Sequence, residues 1–150
     1  MPVTEWFEEE QMTVVLAHAP VESAEAAFAQ AVRQAGLRGG ELVIANAVSH
    51  DAAADARAAD ASRVRELVGR AEGEGVRARA VRLTDADAAA ALLELTEELD
   101  ADLLVIGVRH RSAIGKLLMG STAQRLLLEA SCPVLAVKSG AGPRGAGGPA

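Results

Sequence analysis

The sequence predicts one doubly wound α/β domain, a parallel sheet with helices on both faces. Three observations carry that expectation. Short apolar runs alternate with helix-patterned segments along the whole chain. Each strand is separated from the next by a helix, which forces long right-handed crossovers and parallel pairing. Finally, 150 residues suffice for one core and not two.

The elements follow in order. Thr13 to Ala17, TVVLA, reads as a strand covered on both faces. After Pro20 the period changes, and from Ser23 Ala24, Phe28, Ala31, Val32 and Ala35 line one helix face. Gly36 is expected to supply the left-handed cap. Gly39 and Gly40 then give a tight approach to a second strand, ELVIANAVS, ending near Ser49. Asp51 to Glu74 is helical in composition, with Val64, Leu67, Val68 and Ala71 inward and Gly73 and Gly75 closing it.

Val76 to Leu83 alternates apolar and basic residues. It reads as a half-exposed edge strand whose Arg77, Arg79 and Arg82 discourage further pairing. Thr84 and Asp87 are expected to form a capping box for a helix whose stripe is Ala88, Leu92, Leu95 and Leu99. Asp102 to Val108 is a second apolar strand. Arg109 to Met119 is a loop, and a helix begins near Ser121 with a second capping box to Gln124. Leu126, Leu127 and Ala130 are expected to face inward. Pro133 opens the last strand, VLAVK, and residues 139–150 form a Gly/Pro/Ala tail expected to be disordered. Residues 1–12 are an acidic leading segment, so the domain proper is 13–138.

Composition excludes several functions. Half the residues are hydrophobic and only 2% aromatic, with no Tyr, which argues against a base-stacking platform. Lys and Arg number 15 against 21 Asp and Glu, a formal charge of −6. That field does not favour nucleic acid or anionic membranes. One cysteine excludes an internal disulfide and a cysteine-only metal cage. No apolar run reaches the length of a membrane span, and the acidic start is unlike a signal peptide. A cytoplasmic location is the expectation.

Two nucleotide signatures fail. The Gly115–Lys116 pair lacks the rest of a P-loop. A GxGxxG at Gly140, Gly142 and Gly145 has no room for a following helix. The informative segment is GVRHRSAIGKLLMGST, Gly107 to Thr122. It runs from a strand end through a loop to a helix start. Gly120 permits close backbone approach, and the amides and hydroxyls of Ser121 and Thr122 are donors at a helix N-terminus. Arg109, Arg111 and Lys116 add positive charge. This describes a phosphate site; the plainer reading is a turn, an N-cap and a solvated basic loop.

From Thr13 to Lys138 the chain resembles the universal stress protein family. The resemblance rests on Gly107, two residues, His110, nine residues, Gly120 and Ser121, followed by TAQRLLLEASCPVLAVK. The family pattern is G-x2-G-x9-G-[ST], so His110 replaces its second glycine. The family acid at the end of the first strand is also replaced, by His18 or Ala19 in LAHAPVES. The resemblance implies a five-stranded sheet in the order 3-2-1-4-5. It implies a stress-response regulator that binds ATP or AMP, with or without Mg²⁺, and does not catalyse efficiently. Of the nucleotide-binding candidates, Gly107, Gly120 and Ser121 match the family's phosphate motif. Arg109, His110, Thr122 and His18 join them from the loop, the helix start and the strand end, and Val43 and Ala45 or their neighbours on the second strand are candidates to line an adenine pocket. The resemblance also implies a homodimer through strand Val134–Val137 and a protein partner. The alternative reading is a nucleotide-independent dimer of the same fold that acts by protein–protein interaction.

In that strand order His18, His50 and His110 fall on one rim beside Asp51. Histidine clusters can bind zinc or titrate near neutrality, unless long loops hold the rings apart; the expectation here is no metal, with two of the three rings contacting an anionic ligand. Cys132 reads as a small buried residue, not a nucleophile. The glutamates Glu8 to Glu10, Glu94, Glu97 and Glu98 read as solvated faces.

Overall fold

The computed structural model describes residues 11–47, 54–84, 86–108 and 119–139. Its elements are β1 (Thr13–His18), α1 (Ala24–Leu37), β2 (Glu41–Ala47), α2 (Ala54–Gly73), β3 (Arg77–Leu83), α3 (Ala88–Glu98), β4 (Leu103–Val108), α4 (Ser121–Glu129) and β5 (Val134–Lys138). All four pairings are parallel. The strand order is β3-β2-β1-β4-β5, the doubly wound arrangement expected. The order of connection reverses between β1 and β4, which opens a crevice at the carboxyl ends of those strands.

Alternation of side chains along each strand divides the core into two layers. Val14, Leu16, Leu42, Ile44 and Val105 pack with Phe28 of α1 and Leu67 of α2. On the other face, Val15, Val43, Leu104 and Ile106 pack with Leu92 and Leu95 of α3 and Leu126 of α4. The central strands are apolar on both faces because both faces are covered. β3 lies at an edge with Arg77, Arg79 and Arg82 exposed. At the N-terminal ends, the Thr13 N–H donates to Asp102 Oδ2 at 2.8 Å. Asp102 N–H in turn donates to the Thr13 carbonyl at 2.9 Å, so β1 and β4 start in register.

Several local expectations change. Gly36 lies inside α1, and Gly39, with φ +62°, takes the left-handed turn. The helix continues because Ala35 is fully buried and its carbonyl accepts from Gly40 N–H after the turn. Gly40 must be glycine, since a Cβ there would lie 2.1 Å from the Met12 carbonyl oxygen. The cap of α3 is Asp87 alone, whose Oδ1 accepts from Ala90 N–H at 3.1 Å. The Ser121–Gln124 box does not form. Gly120 is the N-cap of α4, and Gln124 Nε2 instead donates to the Met119 carbonyl. Leu127 faces outward and Leu128 is 85% exposed, because the three consecutive leucines subtend more of the helix than the core covers. The extension of β2 to Ser49, the start of α2 at Asp51, the loop 109–118 and the tail 140–150 lie outside the described residues. Ser139, assigned above to the tail, donates its hydroxyl to Glu22 Oε1 at 3.1 Å. No helix among the described residues is long and apolar enough to cross a membrane.

Candidate functional site

The crevice at the switch between β1 and β4 holds a cavity of about 400 Å³. That is within the range of small-ligand sites. Its floor is the end of β1 (Ala17, His18) and of β4 (Ile106, Gly107, Val108). Ala47 of β2 and Leu92 of α3 form an apolar wall, and Gly120 to Ala123 of α4 close the far side.

The polar side of the cleft is the first turn of α4. The first intrahelical bond runs from Gln124 N–H to the Gly120 carbonyl. The amides of Ser121, Thr122 and Ala123 therefore precede the helical ladder and carry the positive end of the helix dipole. Ser121 and Thr122 are both exposed, so their hydroxyls are available to the same ligand. A Cβ on Gly120 would meet nothing within 4 Å. The backbone is therefore bare toward the cleft at that position, and among the described residues no packing requires it to be.

Gly107 differs. A Cβ there would lie 2.5 Å from Ser23 Oγ and 3.3 Å from Ser23 Cβ. Although Gly107 lines the cleft, its lack of a side chain lets the start of α1 sit against β4. Ser23 is fully buried, and its Oγ has no hydrogen-bond partner among the described residues.

His18 ends β1 at the cleft and is 8% exposed. Its Nε2 has no partner among the described residues. Burial holds its imidazole below the usual histidine range; Asp60 opposes that shift and Arg63 reinforces it. His18 is thus a neutral ring near neutral pH and supplies no standing charge to an anion.

Val43 does not reach the cleft. It is fully buried in the layer with Val15, Leu92 and Leu95. Ala47, two alternations further along β2, is the strand-two residue that lines the cavity. The missed signal was depth: in a parallel sheet only the last residue or two of a strand reaches the carboxyl rim. Arg109, His110, Arg111, Lys116, His50 and Asp51 lie outside the described residues. Among the described residues no group of three or more His, Cys, Asp or Glu side chains is placed to hold a metal. Cys132 is half-buried beside the apolar layer, and burial pushes its thiol up. That is the opposite of nucleophile activation.

The helix bearing the donor turn is held from the side. Arg125 of α4 reaches Asp87, the cap of α3, at 2.7 Å, and its Nε donates to Glu129 at 3.2 Å.

Known proteins share both the sequence and the fold. A universal stress protein of Mycolicibacterium smegmatis is 43% identical over 113 residues, 75% of this chain and 87% of the relative. A universal stress protein structure from Archaeoglobus fulgidus superposes with TM-score 0.75 at 25% identity, covering 85% of this chain and 98% of that one. A universal stress protein solved in complex with cAMP superposes with TM-score 0.67 at 26% identity, covering 86% and 98%. The sequence profile of the Universal stress protein family matches residues 12–138, the span that builds the five-stranded sheet and its cleft, and the chain belongs to that family.

Proposed function

We propose that this chain is a stress-response regulator that binds an adenine nucleotide, ATP or AMP, in the β1/β4 cleft and does not turn it over efficiently. The observation that carries this reading is the first turn of α4, Gly120 to Thr122, opening onto a cavity of about 400 Å³. Its amides and hydroxyls suit a phosphate. Ala17, Ala47, Leu92 and Ile106 suit the flat apolar base. The similar protein solved with cAMP supports an adenine nucleotide as the ligand class. Turnover is not part of the reading. Among the described residues, the Nε2 of His18 is buried away from solvent, and Cys132 does not line the cleft and has its thiol pushed up by burial, so neither is assigned a role in turnover. Mg²⁺ would ride on the phosphates of ATP and is not required for AMP. The site of action is the cytoplasm.

The second reading is a nucleotide-independent dimer that works through a protein partner. The observation favouring it is the β5 edge. Ala136 is exposed and Val134 and Leu135 are only partly covered, an apolar edge of the kind that pairs with a second copy. Light scattering at micromolar concentration tests it: a dimer that Leu135→Arg disperses supports it, and a monomeric wild type removes it.

Titration calorimetry separates the two readings. ATP, AMP and cAMP are injected into nucleotide-stripped wild type, Gly120→Val and His110→Gly. The binding reading expects heat with the wild type and at least about a tenfold loss of affinity in Gly120→Val, or about 1.4 kcal/mol. Gly120 has φ −69° and open space among the described residues, so that variant is expected to keep the fold, which far-UV circular dichroism checks. Silence from the wild type with binding by His110→Gly favours a closed site and the second reading.

A further inference from the structure

β3 is an edge strand, and along its outer side no described strand pairs with its N–H and C=O groups. It also carries Arg77 and Arg79 on one face and Arg82 on the other, so both sides of this edge are basic on a chain of net charge −6. Arg79 Nε lies 3.4 Å from Glu41 Oε2. Arg82 has no hydrogen bond or ion pair among the described residues.

Arg77 makes the informative contact. Its Nη2 donates to Gln11 Oε1 at 2.7 Å. Thr13 pairs with Glu41, and Glu41 with Arg77, so β2 stands between β1 and β3 at this end. The Met12 carbonyl accepts from Glu41 N–H at 2.9 Å. The chain entering β1 therefore passes the start of β2, and one residue earlier its side chain touches β3. The residues before Gln11 read MPVTEWFEEE, with Glu5, Glu8, Glu9 and Glu10 and no Lys or Arg. They precede residues 12–138, the span that matches the family.

We propose that the acidic segment Met1–Glu10 docks along the outer edge of β3 in its own molecule, with its glutamates facing Arg77, Arg79 and Arg82. Length permits it: the seven residues of β3 span about 23 Å, and ten extended residues reach about 33 Å. Opposite charge directs it, and Gln11–Arg77 fixes the point of departure. The segment closes the edge that β3 otherwise presents to other chains.

Trp6 is the chain's single tryptophan and lies inside the segment, so its fluorescence reports docking directly. The full-length protein is compared with Arg77→Glu/Arg82→Glu, two exposed positions, with far-UV circular dichroism confirming the fold. The wild type is also measured in about 1 M NaCl, where the screening length is about 3 Å. Docking gives a blue-shifted Trp6 emission and acrylamide quenching several-fold below that of the free Met1–Glu10 peptide. Both revert in the charge-reversed variant and in high salt. Quenching equal to that of the peptide overturns the proposal. Protection that survives charge reversal also overturns it, because the segment then lies elsewhere. Protection that rises with protein concentration assigns the edge to the segment of a second copy and overturns the intramolecular form.

Discussion

Gly107 and Ser23 touch so closely that a β-carbon built on the glycine would stand 2.5 Å from the serine hydroxyl oxygen. Gly107→Ala is therefore expected to destabilise the fold by about 1–3 kcal/mol, the usual range for forcing extra volume into a packed site. Removing the obstacle should restore part of that loss. Ser23 is the N-cap residue of α1 yet makes no side-chain cap bond, so Ser23→Gly sacrifices little there. Urea unfolding of Gly107→Ala and Gly107→Ala/Ser23→Gly measures both steps. Equal midpoints for the single and double variants would show that the contact is not the source of the loss.

The three leucines of α4 are expected to respond very differently. Leu126 is 1% exposed and packs in the layer with Leu92, Leu104 and Ile106. Truncation to alanine should lose about 2–5 kcal/mol. Leu128→Ala removes a side chain already in water and should stay within about 0.5 kcal/mol of wild type. Thermal or urea melts of the pair check the register of the helix without any ligand.

Acidification should weaken the fold through His18. Its folded pKa lies below the ordinary value of 6.5 because of burial. As pH falls through that ordinary value the unfolded chain takes up a proton that the folded chain refuses. Stability therefore drops between the unfolded and folded pKa values and levels off below the latter. His18→Leu should flatten that part of the profile. Urea melts at several pH values between about 7 and 5 check it. An unchanged slope in the variant would assign the pH dependence to other groups.

Glu25 ties α1 to α2. Its carboxylate accepts from Arg70 at 2.7 and 3.0 Å and also pairs with Arg63. The Arg70 guanidinium also lies 4.8 Å from the centroid of the Phe28 ring. All three charged side chains remain substantially exposed, so screening by water limits the gain. Glu25→Gln is expected to lower stability by less than about 1 kcal/mol. The difference should shrink in high salt, and paired melts at low and high NaCl measure it.

The architecture was legible because periodicity changes where the fold changes. TVVLA and DLLVIGV are continuous apolar runs and became the two strands that flank the switch point. VRARAVRL alternates and became an edge. Helix ends were less legible, since the competing caps are close in sequence and tertiary packing decides among them. Gly36 looked like a cap, but burial of Ala35 carried the helix past it to Gly39. At the cleft, Gly120, Ser121, Thr122 and His18 were found from the motif and the strand ends. Val43 was misplaced because residue type does not report height along a strand, and Ala47 offered nothing chemical to notice. The Gly107–Ser23 contact joins residues far apart in the chain, and no local pattern announces it.

The two motif glycines answer to different forces. Folding itself rejects a side chain at Gly107, whether or not any ligand is present. At Gly120 the space is open among the described residues, so a side chain there would meet an occupant of the cleft before it met the packing of the fold. On the proposed reading, a side chain at Gly120 would therefore cost ligand affinity while leaving the fold in place, and a single reversion would restore the affinity. Affinity at the cleft would then be separable from stability, one glycine serving the ligand and the other the fold.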